Sequence, residues 1–380
     1  MFKTNPNKTA LVLSGGGARG AYQVGVLKGI AEILQELKME HPFQILSGVS
    51  AGAINCVKLA SEIENFQVAV EKLVYLWSKI TVEDVFENKL ISFGAFSGSL
   101  FGKGKRINSL LDTTPLGSLI TKNCDFTKIK KNIDKELIES VIITANNYIE
   151  GKAISFIQTS TSNLTWKDSR REARLASLAP EHILASSAIP FLFPPVKIGS
   201  QYFGDGCVRN NTPCSPSIRM GADKLFVIGV RRNLKSSQQD EFVEISNEEP
   251  SLLRVMNTIL NAVLLDAVEQ DVYRINRINE MAQSVVIDEK KNKSGLKIIP
   301  ALSIAPSGNI GELARGMAHH LPRLFRMSLS AFGSLDEASE IISYLLFHPQ
   351  FCQKLIEMGY EDALTSRKEV IAFFTDSTEA

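Results

Sequence analysis

The chain of 380 residues is 44% hydrophobic and 22% charged, a composition typical of a soluble globular protein. Its formal net charge of +1 provides no basic field, so we expect no nucleic-acid partner. No apolar run approaches the roughly 20 residues of a membrane-spanning helix. The apolar stretch near the N-terminus ends at Leu13, too soon for the core of a signal peptide. We therefore expect a cytoplasmic protein that can visit a membrane surface, while export by a route without such a signal stays open.

The cysteines are scattered, odd in number and without a C-x-x-C pair. They are Cys56, Cys124, Cys207, Cys214 and Cys352. This pattern argues against a disulfide framework and a structural zinc site, and it fits a reducing compartment.

The first elements alternate between strand and helix. Thr9–Ser14 and Phe43–Ser47 are short runs rich in aliphatic residues, which predict two buried strands. Between them, apolar residues recur at helical spacing over Gly20–Lys38, and a second helix is predicted to begin at about Ala53. Strand–helix–strand–helix order is typical of a parallel sheet with right-handed crossovers, so we predict an α/β fold.

Further along the chain, the pattern predicts more strands and two long helical regions. The strands are Val141–Ala145, Ala153–Gln158, Val196–Ile198, Leu225–Val230 and Leu296–Ile299. The connections NNYIEGK and IGSQ have the composition of hairpins, which makes the sheet mixed. The amphipathic stretches Ser251–Met281 and Asp336–Met358 predict the helices.

The loop SGGGARG, residues 14–20, satisfies the dinucleotide-binding pattern G-x-G-x-x-G. That site also needs an acidic residue at the end of the second strand, but Glu32, Glu36 and Glu40 all precede that strand. A phosphate-binding P-loop fails as well, because Ala21 stands where a lysine is required. The glycines therefore do not predict a nucleotide site.

The second predicted strand leads into GVSAG, which places Ser50 between Gly48 and Gly52. A G-x-S-x-G sequence between a strand and a helix is the signature of a nucleophilic serine on a sharp turn. By itself the pattern is weak, since a chance match in a chain of this length has odds on the order of one in ten. Its position beside the glycine loop, at the carboxyl ends of neighbouring parallel strands, strengthens it.

A serine nucleophile gives the glycine loop a second interpretation. Backbone amides can bind the oxyanion of a tetrahedral intermediate, and glycines let those amides approach closely. The candidate oxyanion-hole residues are Gly15, Gly16, Gly17, Ala18, Arg19 and Gly20. For Arg19 we favour a role in fixing the loop by packing or by a salt bridge.

A serine also needs a proton acceptor. The histidines, none in a recognisable motif, are His41, His182, His319, His320 and His348. Asp205 lies between two glycines after a short apolar strand, where it is either an ordinary turn residue or a catalytic base whose pKa is raised by burial. A Ser…Asp…His order that uses His319 or His320 also stays open.

The segment FENKLISFGAFSGSLFGKGKR, Phe86–Arg106, mixes four phenylalanines with glycines and ends in basic residues. One interpretation is an irregular loop whose phenylalanines fill the core. The other is a lid or interfacial patch, with aromatic side chains entering lipid and basic ones facing head groups.

Together these motifs resemble the patatin-like phospholipases of bacterial type. SGGGARGAYQVGVL, GVSAGAINC, ASSAIPFLFPPV and GDG occur in the family's order and rough spacing over about residues 9–310. The C-terminal stretch ISYLLFHPQFCQKLIEMGYEDAL also looks like the helical tail of bacterial members. One departure is Cys207, because the family usually has glycine or alanine after Asp-Gly.

The resemblance implies a three-layer α/β/α fold and a Ser–Asp dyad without histidine. Ser50 would be the nucleophile and Asp205 the base, with the amides of Gly16, Gly17 and Ala18 in the oxyanion hole. Residues 185–196 would line the acyl channel. The mechanism requires no metal or organic cofactor.

We therefore expect a tail of residues 1–8, a catalytic domain of residues 9–310 and a helical extension of residues 311–380 packed on it. The expected function is hydrolysis of acyl esters in phospholipids or lysophospholipids at a transient membrane surface. The alternatives are an esterase or thioesterase acting on non-membrane substrates, a lipase silent until an unidentified protein partner activates it, and a binding scaffold with a silent site.

Overall fold

A computed structural model describes residues 8–88, 109–161, 166–232, 249–264, 266–286, 297–330 and 333–375 of the chain. The predicted tail, apart from residue 8, and most of the segment Phe86–Arg106, from residue 89 onward, lie outside these residues.

The described strands form one large sheet and one small hairpin. They are β1 Thr9–Leu13, β2 Phe43–Gly48, β3 Glu87–Asn88, β4 Leu111–Asp112, β5 Ser140–Asn147, β6 Lys152–Thr159, β7 Arg171–Leu175, β8 Val196–Ile198, β9 Gln201–Asp205, β10 Lys224–Ile228 and β11 Ala301–Ile304. The large sheet has the order β11-β10-β1-β2-β5-β6-β7, with β9 pairing with β5 and β8, whereas β3 and β4 pair only with each other. Parallel pairs join β11 through β5, and the pairs β5–β6 and β8–β9 are antiparallel hairpins, as predicted.

The helices follow the strands along the chain. The α-helices are α1 Gly20–Glu36, α2 Ala51–Glu62, α3 Phe66–Lys79, α4 Thr114–Asn123, α5 Phe126–Asp134, α6 Pro180–Ser186, α7 Ser215–Arg219, α8 Leu252–Leu264, α9 Asp266–Val286, α10 Ile310–Gly316, α11 Arg323–Ser330, α12 Ser339–Leu345, α13 Pro349–Thr365 and α14 Arg367–Thr375. None of these helices, in the described part of the chain, is long and apolar enough to cross a membrane.

Both faces of the sheet are covered. Leu11 and Leu13 of β1 pack into the core on one face, together with residues of α1, α2 and α3, whereas Ala10 and Val12 pack into a second core with residues of α9. All four are at most 1% exposed, because successive side chains of a strand point to opposite faces and both faces are buried here. The predicted three-layer α/β/α fold is therefore confirmed.

Strand β5 brings two distant chain segments together. Strand β2 pairs with its first half and ends with Gly48 opposite Ile143. Strand β9 pairs antiparallel with its second half and ends with Asp205 opposite Ala145. The turn after β2 and the end of β9 thus meet at positions two residues apart on a single strand.

The C-terminal helix α13 packs tightly on α1. A Cβ added to Gly25 of α1 would lie 2.1 Å from the main-chain oxygen of Ile356, and one added to Gly359 of α13 would lie 2.2 Å from that of Tyr22. The two backbones are in direct contact because each helix carries glycine at the crossing.

Two predictions about elements were wrong in part. The predicted strand Leu296–Ile299 is replaced by β11 at Ala301–Ile304, because the Asn279 side chain occupies both main-chain groups of Ile299, accepting from its N–H at 2.9 Å and donating to its oxygen at 2.8 Å. The helical pattern Ser251–Met281 corresponds to α8 and α9, which lie on either side of residue 265, outside the described residues. The pattern Asp336–Met358 is interrupted before Pro349.

Candidate active site

Ser50 lies on the tight turn between β2 and α2. Its backbone has φ 54° and ψ −124°, a strained conformation for a residue with a side chain. Gly48 and Gly52 make the turn possible: a Cβ on Gly48 would lie 2.4 Å from the Gly52 oxygen, and one on Gly52 would lie 2.3 Å from that of Leu13. The turn therefore has the sharp, strained geometry that the G-x-S-x-G motif predicted.

Hydrogen bonds fix this turn to strand β5. The main-chain N–H of Ser50 donates to Ser186 Oγ at 2.9 Å, and the Ser186 hydroxyl donates to the main-chain oxygen of Thr144 at 2.7 Å. Ser50 occupies the N-cap position of α2, but its side chain makes no capping hydrogen bond. Its hydroxyl therefore remains available for another partner, near the partial positive charge of the helix N-terminus.

Asp205 lies at the end of β9, next to the Ser50 turn. Its carboxylate is 1% exposed and accepts from the main-chain N–H of Cys207 at 2.9 Å, while its own N–H donates to the Ala188 oxygen at 2.8 Å. Burial raises the pKa of Asp205 to about 6, against hydrogen bonds from Cys207 and from the Ser50 hydroxyl that lower it. A carboxylate with this pKa, close to a serine hydroxyl, can act as a base near neutral pH.

The glycine loop packs against Ser50 and Cys207. A Cβ added to Gly15 would lie 3.1 Å from Ser50 Cβ and 2.5 Å from Cys207 Sγ. Gly17, with φ 57°, begins a short 3₁₀ helix, Gly17–Arg19, that continues into α1. The first N–H groups of a helix have no acceptor within the helix, so the loop can present amides next to Ser50.

Arg19 connects this loop to the C-terminal region. Its buried guanidinium donates to Ser343 Oγ at 2.8 Å and to the Val230 oxygen at 3.3 Å, and it forms an ion pair with Glu340. The same group lies over the ring of Tyr344, 5.1 Å from its centroid. Arg19 thus fixes the loop by both packing and a salt bridge.

A small cavity of about 20 Å³ adjoins Ser50. It is lined by Gly17, Ser50, Ala51, Ile54, Ile80, Val85, Leu116, Ser187, Ile189, Phe193, Tyr344 and Phe347. The predicted acyl-channel segment 185–196 contributes Ser187, Ile189 and Phe193. Most of the wall is apolar, which suits a hydrocarbon chain, but the volume has room for about one water molecule.

No histidine lines this cavity within the described part of the chain. His320 instead stacks on His348, with ring centroids 3.9 Å apart, and lies at a tilt against His319, with centroids 4.0 Å apart. His182 lies against Phe156, and its Nδ1 accepts from the main-chain N–H of Ala179 at 3.1 Å. The described residues also contain no group of three or more His, Cys, Asp or Glu side chains arranged to hold a metal ion.

Sequence reasoning did not anticipate the C-terminal contribution to the site. Tyr344 of α12 and Phe347, which follows that helix, line the cavity. They do so together with residues from the N-terminal part of the chain, between Gly17 and Val85. Ser186, which fixes the Ser50 turn, was noted only as part of a channel segment. The one signal for Tyr344 and Phe347 was the likeness of the stretch ISYLLFHPQF to a family tail, which identifies no contact.

The chain is similar to two curated proteins over rather more than half its length. It is 26% identical to lysophospholipase NTE1 of Mycosarcoma maydis over 220 residues, 58% of this chain and 9% of that protein. It is 26% identical to the probable lipid hydrolase 463L of invertebrate iridescent virus 6 over 210 residues, 55% of this chain and 63% of that protein. The chain thus spans less than two thirds of either relative.

Solved structures that match include VipD of Legionella pneumophila and a human GIVD cytosolic phospholipase A2. The first is 13% identical with a TM-score of 0.37, covering 96% of this chain and 67% of VipD. The second is 11% identical with a TM-score of 0.39, covering 97% of this chain and 59% of that enzyme. TM-scores this low carry no argument about fold or function.

A family model gives the decisive match. The model for patatin-like phospholipase matches residues 11–218, more than half of the chain. The matched region runs from β1 through the glycine loop and the Ser50 turn to Asp205. The chain therefore belongs to the patatin-like phospholipase family.

Proposed function

We propose that the protein is a lipid acyl hydrolase that cleaves acyl esters of phospholipids or lysophospholipids, with Ser50 as nucleophile and Asp205 as base. The observation that carries this proposal is that the Ser50 turn and the buried Asp205 meet at strand β5. Burial raises the pKa of this carboxylate to about 6, and the Ser50 hydroxyl lowers it. The adjoining glycine loop and the apolar cavity wall support an acyl ester as substrate.

In the first step Asp205 takes the proton of Ser50 as Ser50 Oγ attacks the ester carbonyl carbon. The carbonyl oxygen becomes negatively charged and is stabilised by amides of the Gly15–Gly20 loop; one such donor is typically worth about 10²–10³ in rate. The tetrahedral intermediate collapses, the ester bond breaks, and the leaving alcohol takes the proton from Asp205. An acyl-Ser50 enzyme remains.

In the second step water attacks the acyl-enzyme. Asp205 removes a proton from that water, the second tetrahedral intermediate is stabilised by the same loop, and the proton returns to Ser50 Oγ as the fatty acid leaves. Asp205 can serve both steps because its pKa of about 6 makes it an effective base and a usable acid.

Fatty-acid release from mixed phospholipid vesicles tests the proposal. We expect release by the wild type and none by Ser50→Ala. Labelling of Ser50 by a fluorophosphonate gives a readout independent of substrate choice. Labelling with hydrolysis of soluble esters alone would favour the non-membrane esterase alternative. A wild type that is neither labelled nor active would contradict the proposal and favour a silent scaffold.

The narrow cavity favours a second candidate, a lipase that is nearly silent until a membrane or partner acts on it. A cavity of about 20 Å³ has room for about one water molecule, so a long acyl chain enters only if the apolar wall moves. Wall residues Val85, Phe193 and Phe347 would have to move apart to admit such a chain.

Substrate length distinguishes the two candidates. Activation predicts that soluble acetyl esters are hydrolysed with or without vesicles, whereas long-chain esters are turned over much faster on vesicles. Equal turnover of long-chain esters in monomeric and vesicle form would exclude the activated version.

The division of the chain is also a proposal: a catalytic domain of residues 9–310 with residues 311–380 packed on it. The close crossing of α13 on α1 supports it. A chain truncated after residue 310 should expose the α1 face and lose solubility, which size-exclusion chromatography would detect.

A further inference from the structure

Two hydroxyl groups line the cavity beside Ser50 without a hydrogen-bond partner in the described part of the chain. They are Tyr344 Oη and Ser187 Oγ, on residues 3% and 6% exposed. Buried polar groups are nearly always hydrogen-bonded, and those that are not call for a functional or structural reason. In an otherwise apolar cavity beside a nucleophile, the reason we consider is a polar atom of the substrate.

Tyr344 is held on the oxyanion side of the site. A Cβ added to Gly17 would lie 2.2 Å from the main-chain oxygen of Tyr344, so α12 rests directly on the glycine loop. The guanidinium of Arg19 lies over the tyrosine ring. The loop and the tyrosine therefore hold each other in place.

The phenol is a hydrogen-bond donor throughout the working pH range. Burial raises the pKa of Tyr344 well above its ordinary value, Arg19 lowers it, and Cys207, Glu340 and Asp205 raise it. Tyr344 lines the same cavity as Ser50. A neutral phenol cannot replace Asp205 as the base, but it can donate to a developing negative charge.

The chemistry of the ester distinguishes its two oxygens. The leaving oxygen receives a proton from Asp205, whereas the carbonyl oxygen gains negative charge and must be stabilised from the side of the glycine loop. Building on the function proposed above, we propose that the Tyr344 hydroxyl donates a hydrogen bond to the carbonyl oxygen of the ester that Ser50 attacks. It would be a side-chain donor beside the loop amides, supplied by the C-terminal region.

Tyr344→Phe tests this role because it removes only the hydroxyl. With p-nitrophenyl acetate we expect kcat to fall by about 10²-fold with little change in KM, as for the loss of one oxyanion donor. The melting temperature should stay equal or rise, since the hydroxyl has no partner in the described residues of the free protein. A structural role predicts the reverse, a lower melting temperature with an unchanged rate.

Tyr22→Phe is the matched control. Tyr22 is also fully buried, but its hydroxyl donates to Asp362 at 2.8 Å, away from the cavity. This variant should lose melting temperature and keep kcat.

Two further measurements distinguish a failure of the Tyr344 inference from a failure of the proposed function. An equal loss of rate for acetyl esters with good and poor leaving groups supports donation to the carbonyl oxygen, whereas a loss confined to poor leaving groups overturns it. A Tyr344→Phe enzyme as fast as the wild type, or one that loses rate and melting temperature together, also overturns the inference. Hydrolysis that survives in Ser50→Ala would instead refute the proposed function itself.

Discussion

Two buried carboxylates in this chain have nearly the same local chemistry. Asp205 accepts from the main-chain N–H of Cys207 and Asp271 from that of Cys214, both at 2.9 Å. In each pair burial raises the pKa of the acid, and the side chain of the neighbouring cysteine lowers it. A buried aspartate beside a cysteine is therefore not by itself a catalytic feature.

The difference lies in what else the two acids face. Asp271 packs in the core beneath the other face of the sheet, where Arg171 and Arg274 lower its pKa. The groups that lower the pKa of Asp205 are uncharged donors, one of them the Ser50 hydroxyl, among the residues that the structure describes. A buried charge without a cation is costly, and this cost makes Asp205 the stronger base.

The largest expected effect is a difference in kcat between variants of the two aspartates. Asp205→Asn should lower kcat by about 10³-fold or more, by analogy with members of catalytic triads, because the amide cannot take the Ser50 proton. Asp271→Asn should leave kcat nearly unchanged, since that residue lies on the far side of the sheet. Hydrolysis of p-nitrophenyl acetate measures both; a similar loss in the two variants would remove the distinction.

The next effect is on stability. Because folding raises the pKa of Asp205 from its ordinary value of 3.8 to about 6, the unfolded chain ionises first, and the folded protein loses stability as pH rises through this range. Asp205→Asn removes that loss. Its free energy of unfolding, measured by denaturation at a series of pH values, should therefore rise relative to that of the wild type by up to about 3 kcal/mol between about pH 4 and pH 8.

Asp271→Asn serves as the comparison, with its free energy of unfolding measured over the same pH range. This free energy should also rise relative to the wild type, but by less, because Arg171 and Arg274 offset part of the cost of burying the Asp271 charge. An Asp205→Asn stability difference that stays constant with pH would mean that the carboxylate is not buried as a charge.

The smallest expected effect is on the pH–rate profile, and it compares the thiols of Cys207 and Cys214. Burial raises the pKa of Asp205, and the Cys207 thiol is among the groups that lower it. Cys207→Ala should therefore move the midpoint of the pH–rate profile upward by up to about one pH unit, the worth of one hydrogen bond. Cys214→Ala should not move it. A downward shift in Cys207→Ala would contradict this account of the thiol.

Sequence patterns predicted the fold where the signal is local. The strand at residues 9–13, the Ser50 turn and the glycine loop are short, strongly biased stretches whose neighbours determine their structure. The edge strand β7 was missed because three of its five residues are charged. The strand predicted at 296–299 was wrong because the Asn279 side chain took the hydrogen bonds of Ile299, a distant contact that no local pattern reveals.

The same limit applies to the site. The residue types and spacing of the Ser50 motif predict its chemistry, and the family resemblance singled out Asp205. Tyr344 has no motif and reaches the cavity only because Arg19 and Gly17 hold α12 against the loop. The contribution of such a residue to the site is evident only from the three-dimensional structure.

The most direct test of the central claim, that Asp205 is the base for Ser50, is the rate of Ser50 modification by a fluorophosphonate across about pH 4.5 to 9. We predict a rate that rises with pH, reaches half its maximum near the Asp205 pKa of about 6 and then levels off, and that is lost in Asp205→Asn. A wild-type rate in Asp205→Asn, or a midpoint that disappears when His319 or His320 is replaced, would contradict it.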